Sequence, residues 1–103
     1  MNNEGIVCII ERGKADATVK AAIAAGAGGA TIFFGRGSGA QTFSFFHSLN
    51  VDSAKEIIII IVNPKIRDAV VDAITASARL DEPGKGILFT FPITEVRGIK
   101  LDR

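Results

Sequence analysis

Ile57 to Ile61 is an unbroken run of isoleucines, preceded by Lys55-Glu56 and continued by Val62. β-Branched side chains crowd a helix and suit a pleated strand, so Lys55 to Val62 reads as a strand. Successive strand residues leave on opposite faces, so this run presents isoleucine to both sides of its sheet. It is far too short to span a bilayer, which takes about 20 apolar residues in a helix. The same two-sidedness recurs in Gly5 to Ile10 (GIVCII), Ala30 to Phe34 (ATIFF) and Gly86 to Ile93 (GILFTFPI). Thr31 and Thr90 are the polar exceptions inside the second and fourth of these strands. Whatever fold these strands build must cover two apolar sheet faces.

Two helices are available for that work. Lys14 to Ala25 is alanine-rich, with Ala15, Val19, Ala22 and Ile23 on one stripe and Gly26 as a stop. Asn63-Pro64 opens the second, Asn as N-cap and Pro at the first helical position. Ile66, Ala69, Val70, Ala73, Ile74 and Ser77 form its expected inner face. The order is strand, helix, strand, strand, helix, strand. That is the ferredoxin-like split βαβ arrangement, an α+β fold with both helices on one face of a four-stranded antiparallel sheet. Such a sheet normally turns a polar face to water, and this one has none to turn. A second copy of the chain is the expected cover, giving a homo-oligomer packed sheet face to sheet face.

Residues 1–103 read as one domain. Hydrophobic residues make up 48% of the chain, and the twelve basic and eleven acidic residues leave a net charge of +1. That balance offers no general attraction for nucleic acid. The single cysteine excludes a disulfide framework and a cysteine-based metal site, and the N-terminus lacks the pattern of a signal peptide. A cytoplasmic protein is the expectation.

The chemistry is concentrated in two glycine turns. Gly35-Arg36-Gly37-Ser38-Gly39-Ala40-Gln41 leaves the second strand and is expected to enter a loop. Pro83-Gly84-Lys85-Gly86 precedes the fourth strand. Glycine-rich backbone lets several N–H groups converge on an anion, with Arg36 and Lys85 supplying charge. No helix follows the first loop, so it is neither a Walker nor a dinucleotide-binding fingerprint. Taken singly, each turn is also what an ordinary glycine-permitted bend looks like. Residues 42–54 form the one long connection, and they carry Phe43, Phe45 and Phe46 beside His47, an apolar partner surface or a cover for the oligomer's rim.

Read in order, Gly29-Ala30-Thr31, Gly37-Ser38-Gly39-Ala40-Gln41, Lys55-Glu56-Ile57, Val71-Asp72-Ala73-Ile74 and Gly84-Lys85-Gly86 resemble the PII nitrogen-regulatory signalling family over nearly the whole chain. The resemblance implies a homotrimer that binds adenine nucleotides between subunits, is tuned by 2-oxoglutarate or another small metabolite, and contacts a transporter or enzyme through a long T-loop. By the same resemblance, Thr31 lies beside the adenine, and Gly37 and Gly39 form the T-loop base. Gln41 helps hold a metal and 2-oxoglutarate, Lys55 stands near the keto acid, and Gly84 and Gly86 form the B-loop at the phosphates. Lys100 matches one of two C-terminal basic positions. Arg36, Ser38 and Lys85 complete the expected effector set.

The chain departs from that pattern at Ile87, Gly98 and Ala40, where the family carries basic residues. Each charge-assisted phosphate contact is worth roughly 1.5–3 kcal/mol, so ADP, AMP or another small anion fits at least as well as ATP. The T-loop equivalent is short and has no tyrosine to be uridylylated. The alternative function is a small enzyme on the same oligomeric scaffold, for which general acid and base candidates are scarce. Cys8 lies in an apolar strand with no accompanying His or Asp pattern and reads as a small hydrophobe. Asp81-Glu82 is either a metal-positioning pair or a solvated partner for Arg79.

Overall fold

The computed structural model describes residues 3–37 and 53–99. Its elements run β1 (Asn3–Glu11), α1 (Ala15–Ala24), β2 (Thr31–Gly37), β3 (Ser53–Val62), α2 (Pro64–Ala78) and β4 (Gly86–Ile93). The sheet order is β2-β3-β1-β4 and each neighbouring pair is antiparallel. This is the expected ferredoxin-like topology.

The register sorts every strand residue to a face. Ile58 pairs with Cys8 and Ile32, and Cys8 with Leu88. This set faces the helices. Ile6, Cys8 and Ile10 of β1 and Ile58, Ile60 and Val62 of β3 are buried there against Ala15, Thr18 and Ala22 of α1 and Val70 and Ile74 of α2. Each large side chain so buried contributes roughly 1.5–3 kcal/mol. The alanines of α1 let it lie close against α2, and the hydroxyls of Ser77 and Thr18 meet between them at 3.5 Å.

The alternate residues form the open face. Phe33, Ile57, Ile9 and Ile87 cross all four strands in one row, and Thr31, Ile59, Val7 and Phe89 in the next. Ile87 is 55% exposed, and Phe33 and Phe89 are each 47% exposed. Gly5 admits the ring of Phe91 on this face, and a side chain at that position would fall on the ring.

Local signals fix the second helix. Asn63 takes an extended backbone and its Oδ1 accepts from the Lys65 amide at 2.8 Å, with Pro64 in the first turn. The helix ends with Arg79 left-handed at φ 57°, and Leu80 N–H donates to Thr75 carbonyl at 3.0 Å. Arg79 then grips Glu82 with two hydrogen bonds of 2.9 and 3.0 Å, the pairing reading of that acidic turn.

Some expectations change. Ile23 is 49% exposed, and the inner stripe of α1 is Ala15, Thr18 and Ala22, a spacing that passes over Ile23. Ala69 and Ser77 are exposed on α2, because only Val70 and Ile74 point straight at the core. β2 runs on through Gly35-Arg36-Gly37, and β3 starts at Ser53, within the expected long connection. Pairing with Lys55 and Ser53 holds the first two glycines of the motif as strand.

Candidate functional site

The candidate residues gather at one end of the sheet, where β1 and β2 finish and β3 and β4 begin. Gly35 pairs with Lys55, and Lys55 with Glu11, so a polar row closes the apolar open face. The Lys55 side chain lies against Gly37: a Cβ there would sit 3.9 Å from Lys55 Cγ. On the adjoining side of the sheet, Gly86 pairs with Ile10 at φ 143°, and a Cβ would fall on the Ile9 carbonyl oxygen. Only glycine fits that close approach. Gly84, at φ 80°, makes the turn that leads into it.

The charges divide between the two faces. Arg36 pairs with Ala54, and so shares the helix-side face with Phe34 and Glu56, while Lys55 stands on the open face. Lys85 lines a shallow concavity of about 50 Å³ with Lys14, Ser77 and Arg79 at the ends of the helices. That is room for a few water molecules. Thr31 lies on the open face but four residues along β2 from Gly35, about 13 Å at the usual rise of a strand. Within one chain, then, Gly37, Lys55, Gly84 and Gly86 share the sheet end, and Thr31 does not join them. Ser38, Gly39, Gln41, Lys100 and the phenylalanines Phe43, Phe45 and Phe46 lie outside the described residues, as does His47.

Among the positions that depart from the family pattern, Ile87 extends the apolar row beside Ile9 instead of bringing a charge to the sheet end. Gly98 is in the left-handed region at φ 101°. Cys8 belongs to the core, and burial pushes its thiol up to about 11. A thiol so disposed carries little thiolate at neutral pH and is a poor nucleophile. Among the described residues no group of three His, Cys, Asp or Glu is placed to hold a metal ion. No helix among them is long and apolar enough to cross a membrane.

Two features of this end escaped the sequence reading. Glu56 Oε1 accepts from the backbone amides of Gly13 and Ala15, each at 2.9 Å, and so caps α1 from β3. Arg12 places its guanidinium carbon 4.7 Å from the centre of the Phe34 ring. Strand alternation counted back from Ile57 puts Glu56 on the helix side, but which amides it meets depends on contacts across more than forty residues.

Comparison with known proteins follows the same outline. The family described as "Nitrogen regulatory protein P-II" matches residues 4–103. No curated protein matches the chain at a significant level. Among solved structures, the crystal structure of Arabidopsis thaliana PII bound to citrate superposes with a TM-score of 0.70 at 23% identity, over 89% of this chain and 78% of that one. At that identity the structural likeness speaks for the fold, and the family match, extending over almost the whole sequence, speaks for descent. The chain belongs to the PII family of nitrogen-regulatory signalling proteins.

Proposed function

We propose that this chain is a homotrimeric PII-type regulator that binds a small anionic effector between subunits and reports it to a partner protein through its loop at about residues 42–54. Family membership supports a signal-transduction role and not a catalytic one. The observation that carries the oligomer is the open face. Ile57, Ile59, Val7, Ile9, Phe33, Ile87 and Phe89 make an apolar surface across all four strands with neither described helix over it. Exposed patches of this kind mark interfaces. Thr31 stands apart from the sheet end within one chain, so an effector set that includes both would draw on two subunits.

The effector would then lie where the open face meets Gly37, Lys55, Gly84 and Gly86, with backbone N–H groups and few cations as its donors. Ile87 in that neighbourhood favours ADP or AMP over ATP, since a triphosphate needs more positive charge than the described residues place there. The regulated partner would be a transporter or an enzyme, met by Phe43, Phe45 and Phe46.

Light scattering at micromolar concentration tests the assembly, with three chains of 10.8 kDa expected and a monomer fatal to it. Isothermal titration with ATP, ADP, AMP, bicarbonate, 2-oxoglutarate and citrate tests the effector. Citrate is included because the plant PII chain carries it. Heat from none of them, at high protein concentration, would end the sensor reading.

A further inference from the structure

The effector reading uses Lys55 and leaves its neighbour Glu56 without a part. We propose that Glu56, seconded by Arg12, is a positioning residue: it clasps the stem of the β2–β3 hairpin to the first turn of α1 and so sets where Lys55 and Gly37 stand at the effector cleft. The cleft itself rests on the function proposed above.

The first turn of α1 needs an acceptor it does not own. A helix start leaves backbone N–H groups without intrahelical partners, and the N-cap residue Lys14 provides no side-chain acceptor. Glu56 supplies one from a distant strand, its Oε1 receiving Gly13 N–H and Ala15 N–H at 2.9 Å each. Both bonds are charge-assisted, and the carboxylate also meets the positive end of the helix dipole.

The placement of this carboxylate matters more than its strength. Lys55 and Glu56 are consecutive, so the same short piece of β3 turns one to the open face and the other to the helix face. A twist of the strand that moves Lys55 drags Glu56 against its two amides. The other strand of the stem is tied to the same turn, because Phe34, which pairs with Glu56, lies under Arg12 at 4.7 Å. Residues 12–15 therefore hold both strands of the stem just inside Gly37↔Ser53, the outermost pair among the described residues. A cap that served only the helix would need no such second tie.

The test separates a clasp from a plain helix cap by restoring the cap locally. In the full chain, Glu56→Ala removes the distant acceptor, and Lys14→Asp in the same molecule places an acceptor at the N-cap position. Hydrogen exchange is followed at the α1 amides and at Gly35, Gly37, Lys55 and Ile57, and ADP binding is titrated in parallel. In the double variant the α1 amides are expected to regain wild-type protection. The stem amides should exchange about tenfold faster and ADP should bind about five- to tenfold more weakly, the ordinary range for local opening and site coupling. Glu56→Gln keeps an acceptor in place and is expected to hold both readings nearer wild type than the double variant does. The clasp is overturned if restoring the cap returns stem exchange to wild type, or if Glu56→Gln loosens the stem as much as the double variant. If ADP fails to bind the wild-type protein, the effector reading falls, and stem exchange still decides the clasp.

Discussion

Ile59 and Ile60 are neighbours of identical chemistry on opposite faces of β3, and the fold treats them differently. Ile60 is 1% exposed beneath the two helices, whereas Ile59 lies half-buried on the open face beside Val7 and Thr31. The contrast holds along the two central strands, β1 and β3, whereas on β2 the helix-side residues Ile32 and Phe34 are 37% and 61% exposed. Over those two strands the helix side is sealed by the chain's own alanines, valines and isoleucines, and the other side presents side chains of equal hydrophobicity with no described helix over them. Hydrophobicity therefore sets how much surface wants burial, and chain connectivity decides which part of it the monomer can bury. In the proposed assembly the remainder becomes an interface. In a regulator that reads an effector between subunits, that remainder is also where the site has to be assembled.

The sharpest way to break this contrast is to truncate the two isoleucines separately. Ile60→Ala is expected to cost about 2–5 kcal/mol in denaturant unfolding, in monomer and oligomer alike. Ile59→Asp should leave the monomer folded by circular dichroism but abolish the oligomer in light scattering. If Ile59→Asp stays assembled, the open face is not the interface.

A smaller effect is expected at Gly86. Gly86→Ala must adopt a left-handed backbone and approach the Ile9 carbonyl, so a loss on the order of 1–3 kcal/mol should appear in thermal or chemical unfolding. An unchanged midpoint would show that the turn before β4 gives way freely.

Cys8 sharpens the helix side. Its folded pKa of about 11 lies above the usual 9.0, so in alkali the unfolded chain loses the thiol proton first and the native state binds more protons. The stability that this contributes is complete below pH 9 and is lost as pH rises towards 11. The difference in unfolding free energy between wild type and Cys8→Ala should slope across that window and be flat below it. A flat difference throughout would mean that Cys8 is not buried as the fold requires.

The smallest effect concerns a local signal. Asn63→Ala removes the acceptor for Lys65 N–H and should cost about 1 kcal/mol, read as a modest shift in the denaturant midpoint.

Asn63 also illustrates what can be read from a chain directly. The N-cap, Pro64, the Arg79–Glu82 pair and the apolar runs act over one to four residues, so their expected roles match the structure. The expected inner stripe of α1 did not hold at Ile23, because the helix buries the face of Ala15, Thr18 and Ala22 and leaves Ile23 beside it. Gly35 and Gly37 read as loop from composition, yet they are strand, because Lys55 and Ser53 pair with them from across the hairpin. Thr31 and Lys55, expected in one effector set, stand apart along the sheet. Arg36 and Lys55 stand on opposite faces of it.

The sequence alone determined the order of elements, the four two-sided strands and hence the surplus of apolar surface, because those follow from residue type and periodicity. Its family motifs also pointed to the PII class. Tertiary structure decided which apolar face the helices cover, where the cations go at the sheet end, and that a carboxylate of β3 caps α1. Those outcomes depend on register and on contacts between residues far apart in the chain, where no local preference reaches.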